Sequence, residues 1–261
     1  MYVGPDSLAL ASTALPALLH ARARRGGGGG APLVALLDLC CGSGVLGACA
    51  AAALGPSAVA VDAADASPRA ARFTRFNFAL NALAPPRRVV EGDLYAALPP
   101  GVRYDTILCN PPFVAAPRDA ATAARYDLFS DGGADGARVV DRVLGGAQSR
   151  LRAPHGALAM VTELAAPAPL ERAARSGARI VAGAPRDALE YARRRGGGDA
   201  ASWVAHLESH GLERVLRALL VVRQDSDEGG VFETGFDPWA APHENGPARE
   251  AFAALLGDFD P

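Results

Sequence analysis

The sequence predicts an α/β fold: a doubly wound, mostly parallel seven-stranded sheet with an antiparallel edge strand. Three observations predict it. Short apolar runs of strand length alternate with helical patterns, which is how βαβ units read. A glycine-rich turn follows the first run, and a Ser-Pro helix start follows the second. Half of the 261 residues are hydrophobic and no long polar tract interrupts them, enough for one domain with a sizeable core.

Leu8, Ser12, Leu15, Leu18 and Leu19 form a stripe on an opening helix that ends in Arg22, Arg24 and Arg25. A targeting segment shares that pattern, but Asp6 and the Gly26–Gly30 joint favour an ordinary first helix. Leu33–Asp38 is the first strand, Val45–Leu54 a helix, and Ala58–Asp62 or a little beyond it the second strand. Ser67-Pro68 caps the clearest helix, whose Phe73, Phe76, Leu80 and Leu83 should bury against the sheet before Pro85-Pro86 ends it. Arg88–Glu91 and Tyr104–Cys109 are strands three and four. A helix from about Gly136 carries Val139, Val140, Val143, Leu144, Ala147 and Leu151 on one face. Ala157–Thr162 is strand five. Helices at Pro169–Ser176, Ala188–Arg195 and Asp199–Ser209 then surround a short apolar run at Ile180-Val181. Leu216–Val222 and Val231–Gly235 read as strands six and seven, an antiparallel pair at the sheet edge. The domain is expected to span 1–236, with 184–212 a helical insertion and 237–261 a tail containing a short helix near Ala248–Leu256.

All 26 basic residues are Arg, and the formal net charge is -2, which argues against reliance on non-specific phosphate binding. Four cysteines without C-x-x-C spacing point to a reducing, cytoplasmic setting. No apolar run approaches the ~20 residues that span a bilayer, so no membrane partner is expected.

Asp38-Leu39-Cys40-Cys41-Gly42-Ser43-Gly44 lies where the first strand turns into a helix, and it admits two readings. Gly42, Gly44 and Gly47 spell G-x-G-x-x-G with Asp62 at the distance of a ribose-binding acid, as in an NAD-dependent oxidoreductase. Alternatively, Asp38 can hold an ammonium group or its water, which suits a cationic cofactor. Asp65-Ala66-Ser67-Pro68 and Glu91-Gly92-Asp93-Leu94 follow strands two and three, and Asn110-Pro111-Pro112-Phe113 follows strand four.

In this order the motifs resemble the class I S-adenosylmethionine-dependent methyltransferases, with Cys40 in place of the usual first glycine. The resemblance implies a Rossmann-like methyltransferase fold with S-adenosylmethionine bound by Asp38, Cys40, Gly42, Gly44, Asp65, Asp93, Leu94 and Asn110. Asp65 is preferred over Asp62 for the ribose, and Asp93 is expected at the adenine. Asn110-Pro111-Pro112-Phe113 resembles the N-P-P-[YF] motif of enzymes that methylate planar nitrogen. Such a nitrogen is a poor nucleophile because its lone pair is delocalised. Two acceptors, the Asn110 side-chain oxygen and the Pro111 carbonyl, can hold its N–H bonds and aim the lone pair. Pro112 adds rigidity, and Phe113 offers a face for stacking.

Tyr2–Ser7 and Gly132–Gly136 are similar to the cofactor-covering segment and the glycine-rich turn of the small-domain branch, which includes protein-glutamine and ribosomal-RNA methyltransferases. The resemblance runs from about residue 2 to 165; the departure beyond it weighs against a release-factor substrate. The expected activity is methyl transfer to a planar amide, amino or ring nitrogen of protein glutamine, an RNA base or a small molecule. The alternatives are the oxidoreductase and a catalytically inactive methyltransferase-like subunit. Glu190-Tyr191 and Trp203 make the insertion a candidate substrate cap, against plain packing of Trp203 and Leu207. No metal is expected: His206 and His210 have ligand spacing but no third partner. Arg193–Gly198 and Arg24-Arg25-Gly26 read as solvated helix ends rather than RNA contacts, and Cys40-Cys41 as packing.

Overall fold

The computed structural model describes residues 3–25, 33–117, 129–196, 199–224, 229–234 and 237–239. The expected helix at 248–256 and the Gly26–Gly30 joint lie outside them. In chain order the elements are α1 (Pro5–Arg25), β1 (Val34–Leu39), α2 (Val45–Leu54), β2 (Val59–Asp65), α3 (Pro68–Leu80) and β3 (Arg88–Glu91). A 3-10 turn (Leu94–Ala97) leads to β4 (Thr106–Cys109), α4 (Arg138–Arg150), β5 (Ala157–Ala166), α5 (Ala168–Arg175) and β6 (Arg179–Ala182). β7 (Arg186–Asp187), α6 (Ala188–Gly196), α7 (Ala200–Ser209), β8 (Arg214–Arg223) and β9 (Gly230–Glu233) complete the described chain.

The sheet order is β3-β2-β1-β4-β5-β8-β6-β9, with β7 paired to β8. β1 is parallel to both β2 and β4, so the winding reverses between β1 and β4. At such a switch point the loops leaving the two strands part and open a crevice, where α/β folds bind ligands. Alternate residues of the strands feed two cores. Leu37, Leu39 and Ile107 join Val140, Leu144 and Leu170 of α4 and α5. Leu36 and Leu108 join Leu10, Leu46 and Phe78 of α1, α2 and α3.

The mostly parallel α/β class stands, and two details of the sheet differ from the expectation. Among the described residues nine strands replace seven, because Ile180-Val181 belongs to the four-residue β6 and Arg186–Asp187 adds the two-residue β7. Nor is the antiparallel strand at the edge. β8 lies between β5 and β6, antiparallel to both, and the edge strand β9 runs parallel to β6. The physical reason is visible in the side chains. Val215, Leu216 and Ala218–Val222 of β8 are buried on both faces, as only an interior strand can be, whereas Val231 and Phe232 of β9 are exposed.

α3 also turns a different face inward. Ala70, Ala71, Thr74 and Phe78 are buried, while Phe76 and Leu80 face solvent. Small side chains let the helix approach the Gly42–Gly44 turn closely: a Cβ on Gly44 would lie 2.7 Å from Thr74 Cγ2. Asn77 Nδ2 ties the same helix to the Ser43 carbonyl at 2.8 Å.

Candidate active site

The turn after β1 is shaped by left-handed backbone at Cys40 (φ 57), Gly42 (φ 54) and Gly44 (φ 75). Cys40 therefore takes, at some cost, a conformation that glycine adopts freely. Asp38, at the end of β1, is fully buried, and its Oδ2 accepts the Gly47 N–H at 2.9 Å. Gly47 leaves the room for this approach, since a Cβ there would meet Val61 Cγ1 at 2.9 Å. Among the described residues Asp38 Oδ1 has no hydrogen-bond partner. Burial pushes the Asp38 carboxyl up to about 8; the Gly47 N–H opposes this, and the negative charge of Asp65 adds to it.

Asp65, at the end of β2, accepts the Gly42 N–H on Oδ2 and the Ser67 N–H on Oδ1, each at 2.9 Å. One carboxylate thus ties the first turn to the start of α3. Each oxygen keeps a second acceptor position. Asp93 and Leu94 (φ 49) follow β3; Asp93 is exposed and accepts from Arg142 Nη2 at 2.6 Å. Asp62 is a different kind of acid. Its buried carboxylate takes Arg87 through two nitrogens (2.9 and 2.7 Å), Arg88 at 3.0 Å and the Tyr104 hydroxyl at 2.9 Å. The dinucleotide reading thereby loses its ribose acid.

Asn110 leaves β4 beside the first turn of α1. Its Nδ2 donates to Asp6 Oδ2 at 2.9 Å and to Ser7 Oγ at 2.8 Å. A carboxylate such as Asp6 can only accept, so this bond fixes which way the amide faces. Both amide hydrogens are engaged, and Oδ1 is left to accept. Asn110, Pro111 and Phe113 line a cavity of about 630 Å³ together with residues of α6, Arg217 of β8 and Trp239. The Phe113 and Trp239 rings pack at 5.5 Å and 56°, with the Arg217 guanidinium 4.8 Å above the indole. Arg217 also donates to Asp237.

Deeper in the wall, Glu163 of β5 is buried and accepts from Arg186 (2.8 Å), Arg195 (2.7 Å) and the Tyr191 hydroxyl (2.8 Å). Burial disfavours its charge, but Arg195, Arg186 and Tyr191 together hold the carboxyl below its usual range. The insertion thus divides its residues. Glu190 and Tyr191 line the cavity, while Trp203 and Leu207 fill the core beneath.

The Gly132–Gly136 turn braces the Asn110–Phe113 segment through the backbone. Val114 N–H donates to the Ser130 carbonyl at 2.9 Å and Gly132 N–H to the Val114 carbonyl at 3.0 Å. A Cβ on Gly132 would meet the Phe113 carbonyl carbon at 2.6 Å, and one on Gly136 the Phe113 oxygen at 2.6 Å. Neither backbone atom can yield without moving the motif. Gly132→Ala is therefore expected to destabilise the fold by about 2–3 kcal/mol, read as a lowered urea midpoint; an unchanged midpoint would show that the turn relaxes freely.

Among the described residues no group of three His, Cys, Asp or Glu is placed to hold a metal ion. His206 Nε2 instead meets the Ala134 carbonyl at 2.7 Å, fastening α7 to the glycine-rich turn. No helix among them is long and apolar enough to cross a membrane. Sequence reasoning did not find Glu163, Arg186, Arg217 or Trp239. Each reaches the cavity through tertiary contacts that leave no local pattern.

Comparison with known proteins gives consistent relatives. A ribosomal protein uL3 glutamine methyltransferase of Burkholderia pseudomallei is 40% identical over 130 residues, 45% of this chain and 41% of that protein. A release factor glutamine methyltransferase of Bordetella pertussis is 38% identical over 162 residues, 60% of this chain and 54% of its own length. The chain spans about half of these relatives or less. A solved structure of ribosomal protein L11 methylase from Lactobacillus delbrueckii subsp. bulgaricus aligns at a TM-score of 0.44 and 15% identity, over 80% of this chain and 77% of that one. The family model described as the methyltransferase small domain matches residues 31–174. That match takes in more than half of the sequence, and the chain belongs to the methyltransferase small-domain family.

Proposed function

We propose that this protein is an S-adenosylmethionine-dependent N-methyltransferase whose acceptor is a planar nitrogen, of which a glutamine-type carboxamide is the first candidate. The observation that carries the reading is the Asn110 amide, turned by Asp6 and Ser7 so that its oxygen is left to accept an N–H. That relatives of this chain are glutamine methyltransferases supports the carboxamide.

The residues at the ends of β1 to β3 fit the cofactor. Once ionised, Asp38 presents Oδ1 as a buried acceptor in want of a donor, as an ammonium group or an ordered water would supply. The left-handed turn at Cys40, Gly42 and Gly44 is tied to Asp65 through the Gly42 N–H, and Asp65 retains acceptor positions for ribose hydroxyls. Asp93 and Leu94 would hold the adenine, with Asp93 sharing or releasing Arg142. When bound, S-adenosylmethionine supplies an electrophilic methyl group on sulfonium sulfur. The protein's part is then to position. Asn110 Oδ1 and the Pro111 carbonyl hold the two N–H bonds of the acceptor, Pro112 stiffens the segment, and Phe113 bears on the acceptor plane. No strong base is required, because the nitrogen becomes acidic as it acquires charge. The bacterial relatives and four unbonded cysteines support a cytoplasmic setting.

Binding of the cofactor's ammonium group should ionise Asp38. Because that carboxyl is pushed up to about 8 in the free protein, binding releases a proton. Affinity is expected to rise by up to about tenfold per pH unit below 8 and to level off as 8 is approached. Calorimetry in buffers of different ionisation enthalpy reads this directly, and a binding heat independent of buffer would show that Asp38 is already charged.

The activity itself is tested with methyl-labelled S-adenosylmethionine and a fractionated host extract, scoring label in protein, RNA and small molecules for the wild type and Asn110→Ala. Asn110-dependent label in protein is the expected result. Label confined to RNA or small molecules would replace the carboxamide with another planar nitrogen, and no label above the variant would overturn the reading.

A further inference from the structure

The outer face of α3 mixes aromatic rings with positive charge and contains no acid. Phe76 and Leu80 are 58% and 68% exposed, and Arg69, Arg72 and Arg75 stand exposed among them. Arg69, Arg72, Phe73, Phe76 and Leu80 recur at spacings of three and four, so they share one face of the helix. The Arg69 guanidinium lies over the Phe73 ring, 5.4 Å from its centre. Among the described residues neither Arg69 nor Arg72 meets an acid. Arg75 reaches across to β3 and donates to the Val89 carbonyl at 2.8 Å, a neutral oxygen that leaves its charge uncompensated. β3 is an edge strand of the sheet, and at its start the exposed Arg87 and Arg88 share one buried carboxylate, Asp62. Residues 66–90 thus hold five of the 26 arginines and none of the 28 acids of a chain whose net charge is -2. Glu91, at the other end of β3, is the next acid along the chain. The overall charge hides this local excess. None of these residues lines the acceptor cavity, so the patch is a second surface.

We infer that the outer face of α3, with Arg87 and Arg88 at the β3 edge, is a docking surface for single-stranded RNA. The arginines take phosphates, and Phe73 and Phe76 offer faces to unstacked bases. The rings decide among partners that carry negative charge. A duplex hides its bases, whereas unpaired bases are the ordinary state of RNA loops and ends. A helix that lies on a membrane keeps its apolar and charged sides apart, but in projection Phe76 falls between Arg72 and Arg69. An acidic protein would answer the arginines and leave the rings without a counterpart. The inference does not depend on the methyl-transfer reading, because it concerns a surface apart from that site.

The test is binding without methyl donor. The full chain is titrated against a dye-labelled oligoadenylate, followed by fluorescence anisotropy, and against the same strand annealed to oligouridylate, polyglutamate and phosphatidylglycerol vesicles. The single strand should bind tightest, with a slope of about -2 to -3 in log affinity against log salt. Arg69→Gln/Arg72→Gln should weaken it about tenfold at low salt and flatten that slope by about 1 to 1.5. Phe76→Ala should weaken it about tenfold with the slope unchanged, a split that bare charge attraction would not give. These side chains are exposed, so the urea midpoint and the cofactor affinity should stay at wild-type values. Arg193→Gln/Arg194→Gln, an equal loss of charge on α6, should bind the strand like wild type. No binding of the strand, equal affinity for strand, duplex and polyglutamate, binding unaltered by the α3 substitutions, loss in the α6 variant instead, or attachment to vesicles alone would each overturn the inference.

Discussion

Asn110→Ala is expected to lower turnover by about 100-fold or more while leaving cofactor affinity within a few-fold of wild type. The size follows from what the side chain does. Methyl transfer to an amide nitrogen needs the lone pair drawn out of conjugation and aimed in line, and two fixed acceptors do this at the expense of the N–H bonds. Alanine removes one acceptor entirely. The orientation of the remaining amide in wild type depends on Asp6 and Ser7, which together take both Nδ2 hydrogens. Asp6→Asn can present an N–H where the carboxylate presented only acceptors, so the Asn110 amide loses its unique direction. A loss of about tenfold in kcat, smaller than for Asn110→Ala, is the expected result, with cofactor affinity again retained. Steady-state kinetics alongside calorimetric cofactor titration separate the two effects. If Asn110→Ala lost cofactor binding in step with turnover, Asn110 would be a cofactor ligand first and the positioning mechanism would fall.

Much of this site is legible in the sequence because its parts are local to strand ends. Asp38, Asp65, Asp93 and Asn110 each follow an apolar run and precede a turn or helix signal, so the βα rhythm alone places their loops along one edge of the sheet. What binds those loops to one another is not local. Asp6 and Asn110 are 104 residues apart, and no periodicity announces their bond. Glu163 is one polar residue in a buried strand, and only the return of α6 explains it. The sheet shows the same division. β1 to β5 are bounded by clear turn residues, whereas the four-residue β6 is too short to carry a pattern. β8 did hold a readable signal, since a strand apolar on both faces belongs inside a sheet. In α3 the large side chains draw the eye, yet Ala70, Ala71 and Thr74 make the contact, because close approach to a glycine turn favours small residues.

Asp62→Ala is expected to cost about 3–5 kcal/mol of stability. Removal of the carboxylate strands the Tyr104 hydroxyl in a fully buried position and takes the shared partner from Arg87 and Arg88. The effect should depend on pH in a definite sense. Burial works to raise the Asp62 pKa, but hydrogen bonds from Arg87 and Tyr104, the Arg87 charge and the Arg88 bond outweigh it and hold the carboxyl below its usual value. A lowered native pKa contributes stability that is fully present above the unfolded value of about 3.9 and is lost as pH falls toward the native one. The gap between wild type and Asp62→Ala should therefore be constant from pH 7 to about 5 and narrow below pH 4. Urea unfolding across that range tests it, and a difference under about 1 kcal/mol at pH 7 would mean that water replaces the carboxylate at little cost. The consequence reaches the site through β3. Arg87 and Arg88 lead into that strand, whose pairing with β2 aligns Asp65 with Glu91 and so sets Asp93 beyond it. Asp62 acts on the ligand edge by holding two strands in register, and a variant that unfolds more readily while keeping its cofactor affinity below the melting range would separate that structural duty from a ribose contact.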